Sequence, residues 1–214
     1  MSQQIDFFKS ESKKLVKQYN SQEVEAIGRV QKHIRNMDVF CLARAQHVVA
    51  REAGFNRWED LLHASANRLQ FGVILYKNPL LTETEGWSYP GHKVNPYKES
   101  DRQSLINNYD WVMRIVSWLR TNNVCEPVNS DDEYLFHTGT GKDCFSRLFV
   151  HLFNEPYKYT GTGLVIAAFM MCGFKPLSLN KQNNLPIPGQ GRCYFAVSEK
   201  WWNDMCKKYP VLER

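Results

Sequence analysis

Apolar residues in the first 62 positions recur three and four places apart, which is the spacing of one face of an α-helix. Ser21 is a good N-cap, Gly54 is a typical helix stop, and Asn56 with Glu59 forms a capping-box pattern. The pattern predicts four short helices, whose apolar stripes begin at Ile5, Val24, Leu42 and Trp58.

Residues 77–99 change character, because they hold three prolines and two glycines and lose the helical spacing. The apolar run 71–76 just before them fits either a buried strand or the tail of a helix. A loop as long as 77–99 usually carries function or joins subdomains. We therefore predict an N-terminal four-helix unit at 1–76, a loop-rich connector at 77–99 and a C-terminal helical unit at 100–214.

The C-terminal unit combines helices with one or two short strands. Helical spacing predicts one long helix over 100–122 and a second over 141–154. The run 164–174 is apolar almost throughout and predicts a fully buried helix that ends at Gly173. Ser130 with Glu133 repeats the capping-box pattern and predicts another helix start. A polar loop over 177–191 precedes a strand over 193–197 and a last helix capped by Ser198. The predicted fold class is mainly α.

Composition points to an ordinary globular protein inside a cell. The 214 residues are 43% hydrophobic, and the net charge of +5 is spread along the chain, whereas a dedicated nucleic-acid binder usually concentrates its basic residues. The longest apolar run, 164–172, is too short to span a bilayer, and the start of the chain lacks the pattern of a signal peptide. The six cysteines form no C-x-x-C pair. We expect a cytoplasmic protein with reduced cysteines that binds no membrane.

Two stretches resemble known protein groups. The segment 42–61, LARAQHVVAREAGFNRWEDL, resembles the helical leader "AQ-x-V-AREhGF-x-x-W-x-x-L" found before ankyrin repeats and in other bacterial proteins. The resemblance covers about residues 10–65 and implies a local helical fold without an activity, and no ankyrin period follows it. Residues 163–201 contain GLVIAAF at 163–169, GFK at 173–175 and YFAVSEKW at 194–201. These runs are similar to small uncharacterised proteins of bacterial plasmids and phages. That likeness implies an accessory protein of a mobile element, a class that includes antitoxins, DNA-associated factors and inhibitors of host defence.

Candidate motifs for DNA or phosphate binding are incomplete. A helix–turn–helix over 46–65 would place Glu59 and Asp60 where DNA phosphates approach, which disfavours it. The Gly-rich run 137–143 lacks the first Gly of a nucleotide loop and has Asp143 where Ser or Thr is needed. A simpler anion site at a helix start stays open. Its candidate ligands are His137, Lys142, Arg147 and His151.

Catalytic and metal motifs are equally sparse. The same four residues could form an enzyme pocket, and a Cys–His pair assembled by the fold also stays open. Cys144, His151 and His137 give three candidate metal ligands, whereas a structural zinc site needs four in a closed geometry. We predict no metal and no cofactor, and we name no catalytic residue.

The favoured hypothesis is a non-catalytic binding or regulatory protein that contacts a protein partner. The long loops 77–99 and 177–191 are the predicted surfaces, and the exposed aromatic anchors are predicted to be Trp87, Tyr89 and Tyr97. Nucleic-acid binding is the alternative. It would use the basic residues of the first two helices: Lys13, Lys14, Lys17, Arg29, Lys32 and Arg35.

Overall fold

The computed structural model describes residues 3–34, 39–88, 90, 91, 93, 96–154, 156, 159–177 and 193–213. The predicted mainly α class with a few short strands is confirmed. The chain forms two compact units, Met1–Pro79 and Leu80–Arg214.

The first unit is a bundle of helices. Its core is built from buried aliphatic and aromatic side chains on all of them, among which Phe8, Leu15, Val30, Val48 and Leu61 are completely buried. The segment 71–76, ambiguous in sequence, lies in the last helix and not in a strand, so four predicted helices become five. They are α1 (Gln3–Asn20), α2 (Val24–His33), α3 (Leu42–Glu52), α4 (Trp58–Leu62) and α5 (Ala66–Lys77).

Helix starts in this unit differ from the predicted ones. Val24 and Leu42 fall on the predicted buried faces but are 86% and 42% exposed, because each is the first residue of its helix, where the chain enters from solvent. Glu23, not Ser21, is the N-cap of α2. In α4 the main-chain N–H of Arg57 donates to the Asp60 carboxylate, one residue after the predicted capping pair.

A polar network ties four helices of the first unit together. The Arg29 guanidinium donates twice to the Glu52 carboxylate, at 3.0 and 2.7 Å, and once to the Tyr76 hydroxyl at 2.8 Å. The Tyr76 hydroxyl donates to Glu11 at 2.9 Å. Bidentate charged hydrogen bonds are the strong kind, so this network links α1, α2, α3 and α5 through α2's only arginine.

The second unit contains five further helices and two small antiparallel sheets within its described residues. Its strands are β1 (Leu81–Thr82), β2 (Gly86–Trp87), β3 (Glu133–His137) and β4 (Tyr194–Ser198), with β1 paired to β2 and β3 to β4. Its helices are α6 (Glu99–Asn107), α7 (Tyr109–Thr121), α8 (Thr138–Phe153), α9 (Thr162–Met171) and α10 (Glu199–Lys208).

Three predicted elements of the second unit are corrected. The single helix over 100–122 divides at Asn108 into α6 and α7. The helix start predicted at Ser130 is a short 3₁₀ turn that leads into β3, because residues 133–137 pair with a strand about sixty positions later in the chain. Helix α8 begins at Thr138, not at 141.

The core of this unit surrounds α9, which is buried on every side as predicted. The Phe169 ring stacks between Phe136 of β3 and Phe195 of β4, with ring centroids 4.9 and 4.8 Å apart. This aromatic column holds the sheet of β3 and β4 on the helix. Across the described residues, no helix is both long enough and apolar enough to cross a membrane.

Candidate functional site

The connector predicted at 77–99 contains a tight hairpin in place of an open loop. Leu81 pairs with Trp87 and Thr82 with Gly86. The buried Thr82 hydroxyl lies 3.0 Å from the carbonyl oxygen of Gly86, to which it donates, and 2.8 Å from the Ser88 hydroxyl. These hydrogen bonds satisfy buried polar groups, whose burial without a partner would be unfavourable. The hairpin is therefore an ordered element and not an open loop.

Helix α6 holds the turn of this hairpin from one side. The Asp101 carboxylate accepts from the Thr84 hydroxyl at 2.6 Å and from the Thr84 N–H at 3.2 Å. The Asp101 carbonyl accepts from the N–H of Glu83. Buried Arg102 donates to the Leu81 carbonyl at 2.6 Å, and the Asn108 amide donates to the Glu83 carboxylate at 2.8 Å.

The turn is also fixed by the start of α9. The carbonyls of Glu83 and Thr84 accept from the N–H groups of Gly163 and Thr162, at 2.8 and 3.1 Å. They thereby satisfy donors that every helix start leaves without an intrahelical partner. A Cβ atom at Gly163 would overlap the carbonyl oxygen of Thr82, and one at Gly161 would overlap that of Glu83. Glycine is therefore required there by the close approach of two main chains.

An open cleft of about 490 Å³ lies between the hairpin and α6. Its lining is polar, with hydroxyl groups as donors and acceptors, one lysine, and two carboxylates of which Asp101 is already engaged by Thr84. Such a surface suits a polar or mixed-charge ligand better than an apolar one. The lining residues are Thr84, Glu85, Ser88, Pro96, Lys98, Ser100, Asp101 and Ser104.

The aromatic anchors predicted for this region are largely unsupported by its geometry. Trp87, a predicted exposed anchor, is only 5% exposed, because the hairpin turns its ring into the unit's interior. Tyr97 is half-buried, and its hydroxyl donates to Glu99 at 2.7 Å. Burial raises the pKa of Tyr97, and the bond to Glu99 adds to that shift. Tyr89 and residues 178–191 of the second predicted loop lie outside the described residues.

The four candidates for an anion site or enzyme pocket do not converge. Lys142 and His151 are nine positions apart, which places them about 180° apart around α8. Arg147 donates to the Val211 carbonyl at 3.0 Å, and His151 is exposed to solvent. The His137 ring precedes the helix and packs 4.9 Å from the Tyr194 ring. The structure therefore does not bring the four side chains to a common point, since Lys142 and His151 lie on opposite sides of α8.

Lys142 is held as a cation. Its ammonium group contacts Asp143 at 2.9 Å and lies 4.8 Å from the centre of the Tyr159 ring. Burial lowers the pKa of Lys142, but the hydrogen bond to Asp143 and the contact with Tyr159 outweigh it, so the pKa lies above its ordinary value. A lysine in this state is a poor base and a poor nucleophile.

The candidate metal ligands are also dispersed. Cys144 is buried and its thiol donates to the Leu212 carbonyl at 3.3 Å, whereas His151 is exposed. Burial raises the pKa of Cys144, although the nearby Arg147 opposes the shift. Within the described part of the chain, no three His, Cys, Asp or Glu side chains gather closely enough to hold a metal ion.

The basic residues proposed for nucleic-acid contact divide into free and engaged groups. Lys13, Lys14, Lys17 and Lys32 are exposed. Arg29 is engaged inside the first unit by Glu52 and Tyr76, so its charge is neutralised there. Arg35 lies outside the described residues. Helix α4, at five residues, is little more than one turn, which does not suit the recognition helix of a helix–turn–helix.

The residues that shape the cleft are not among the predicted site residues. Asp101, Arg102 and Asn108 read in sequence as ordinary positions of one long helix, and their hairpin contacts join residues 17 to 25 places apart. The sequence feature that could have indicated the contact between the hairpin and α9 is the run 160–163, TGTG, which lies directly before an all-apolar helix.

No protein-family model matches the chain, and neither the curated proteins nor the solved structures include a significant match to it.

Proposed function

We propose that this protein is a non-catalytic binding protein that takes an extended, polar segment of a partner protein into the cleft between the hairpin and α6. The observation that carries the proposal is the hairpin turn, which Asp101, Asn108 and the start of α9 hold from different sides. A hairpin fixed in this way loses little conformational entropy when a partner binds, because it is already ordered in the free protein.

The chemistry of the lining supports a peptide as the occupant. An extended peptide presents alternating N–H and C=O groups along both edges. The hydroxyls of Ser100 and Ser104 lie one helical turn apart on α6 and can each donate or accept. Lys98 and Glu85 supply one charge of each sign for side chains of the partner. The resemblance of 163–201 to plasmid and phage proteins supports a regulatory role within a mobile element.

Site-specific photo-crosslinking tests the proposal. A photoreactive amino acid at Ser104 should crosslink to a protein in nuclease-treated lysate. The same probe at Gln103, which is exposed on the same helix but does not line the cleft, should not do so. The captured protein, once purified, should bind the wild-type chain and lose roughly tenfold or more in affinity with Lys98→Glu or Ser104→Trp. Equal crosslinking from both positions, or unchanged affinity in both variants, would contradict the proposal.

Nucleic-acid binding by the first unit is a second candidate, favoured by the exposed lysines of α1. Lys13, Lys14 and Lys17 are all exposed and fall within about 100° of arc on the helix. Retention on DNA or RNA should weaken with salt, and Lys13→Glu with Lys17→Glu should lower the salt slope by about one for each phosphate that the variant no longer neutralises. Lys175→Glu with Lys207→Glu, which makes the same change of net charge at exposed positions of the second unit, is the matched control. A slope that is equal in both variants would exclude this surface.

A further inference from the structure

The outer edge of β3 carries backbone groups that point away from β4. The main-chain N–H and C=O of Tyr194 in β4 both bond to Leu177, on the side of β4 away from β3, so Tyr194 and its register partner His137 form a non-hydrogen-bonded pair. The next pair along the ladder is hydrogen-bonded, because the Thr138 N–H donates to the Cys193 carbonyl. In an antiparallel ladder, hydrogen-bonded and non-hydrogen-bonded pairs alternate. The N–H and C=O groups of Glu133 and Leu135 therefore point outward from the sheet.

This edge is open at its centre. In the part of the chain that the structure describes, the N–H and C=O groups of Leu135 have no backbone partner, whereas the Glu133 N–H donates to the Ser130 carbonyl of the preceding 3₁₀ turn. The Leu135 side chain is 43% exposed, and Glu133 is exposed as well. An exposed edge with an apolar side chain is a template for another strand, and natural proteins usually protect such edges.

The sequence of the edge is complementary to itself. When two copies of β3 pair antiparallel through their outward groups and with Leu135 on the two-fold axis, Leu135 faces Leu135 of the other copy. Glu133 then faces His137 of the other copy, which sets an acidic side chain against a basic or neutral one. The register that places Glu133 on the axis would oppose two like charges, which is unfavourable in a cross-strand pair.

We propose that this protein forms a two-fold symmetric dimer through antiparallel pairing of its β3 edges, centred on Leu135. The required contact is the Leu135 pair, which contributes two main-chain hydrogen bonds and an apolar contact. The pairing would join two two-stranded sheets into one sheet of four principal strands. Because the edge is short, the dimer is expected to be weak and to depend on concentration.

Crosslinking tests the register. In a chain with Cys41→Ser and Cys125→Ser, which removes the two exposed native thiols, Leu135→Cys should form a disulfide-linked dimer under mild oxidation. Residues paired across the axis have Cα atoms about 5.5 Å apart, within the reach of a disulfide. Glu133→Cys is the matched control, since the two copies of that residue would lie roughly 13 Å apart along the strands. Equal crosslinking of the two variants would overturn the register.

Sedimentation tests the dimer without any crosslink. The mass of the wild-type chain should rise from that of one copy towards that of two between micromolar and millimolar concentration. Leu135→Lys should stay monomeric throughout, and Leu152→Lys, which changes another exposed leucine on α8, should associate like the wild type. A wild-type chain that keeps the mass of one copy at every concentration would overturn the proposal. So would association of Leu135→Lys at the wild-type level.

Discussion

Close main-chain packing at the start of α9 makes Gly163 the most constrained residue of the candidate site. The Thr82 carbonyl approaches so closely that no Cβ fits, and the obstacle is backbone, which cannot rotate away as a side chain can. At Gly28 in α2 the surroundings are open, with no atom within 4 Å of the place a Cβ would take. The two glycines therefore have opposite expected responses to the same substitution.

Gly163→Ala should lower the free energy of unfolding by about 3 kcal/mol, because overpacking against a rigid backbone costs that much. Gly28→Ala should raise it by about 0.5 to 1 kcal/mol, since alanine is the better helix former. Hydrogen exchange resolved by peptide measures both effects and reads each unit separately. A Gly163→Ala chain as stable as the wild type would mean that the hairpin turn can withdraw from α9 without cost.

Tyr76 carries a similarly specific role in the first unit. Tyr76→Phe should cost about 1 to 2 kcal/mol, because its hydroxyl accepts from Arg29 and donates to Glu11, and both partners are charged. Tyr19→Phe is the matched control: the Tyr19 ring packs on Phe40, and none of the described residues hydrogen-bonds its hydroxyl. Its effect should stay within about 0.5 kcal/mol. Equal losses in the two variants, measured by urea unfolding, would contradict the role of the network.

The hairpin is the element on which the candidate site depends, and Asp101 is its main anchor outside the strands. Asp101→Ala should raise the rate of hydrogen exchange at Thr84 roughly tenfold, because Thr84 loses the acceptor for both its N–H and its hydroxyl. Asp110→Ala, an exposed change at the start of α7, should leave exchange in the hairpin unchanged. A hairpin that exchanges equally in both variants would contradict the role of Asp101 and would leave the hairpin to its contacts with Arg102, Asn108 and α9.

Elements with local signals could be predicted from the sequence, whereas elements made by distant contacts could not. The apolar stripe of α1 and the all-apolar α9 have patterns that fix their type without tertiary information. Residues 133–137 follow a capping pattern, yet they form β3 because a partner strand lies far along the chain. The break at Asn108 is likewise invisible locally, since its amide bonds to Glu83.

The place of the candidate site is predictable from the sequence, but its composition is not. Residues 77–99 stand out by their length and their prolines, and part of that segment does line the cleft. A tryptophan in a loop reads as exposed, but hairpin formation buries Trp87. The buried charge of Arg102 could not be foreseen, because a single arginine in a helix ordinarily faces solvent.

At the scale of the whole molecule, we expect the buried thiols to lower the stability of the fold at alkaline pH. Burial raises the pKa of Cys193, and burial together with Glu213 raises the pKa of Cys206 to about 11 from its ordinary value of 9.0. The unfolded chain therefore loses these protons at lower pH than the folded chain. The contribution of these thiols to the free energy of unfolding should be fully present below about pH 9. It should be lost as the pH rises towards about 11.

Urea unfolding under reducing conditions at a series of pH values measures this loss. Cys206→Ala should flatten the decline above pH 9.0, while Cys125→Ser, at an exposed position, should leave it unchanged. A wild-type chain whose stability is constant up to pH 11 would contradict the proposed contribution of the thiols.

The contact of the hairpin turn with α9 also ties the candidate site to the order of folding. Glu83 and Thr84 reach their helical partners only after a long stretch of chain has been closed into a loop, and closing such loops is a late and slow event. A chain that has formed its local helices but not the contact between the hairpin turn and α9 lacks one of the contacts that fix the side of the cleft formed by the hairpin. Under the proposed function, incompletely folded or truncated copies would therefore bind the partner weakly, and occupancy of the cleft would report on the completeness of folding.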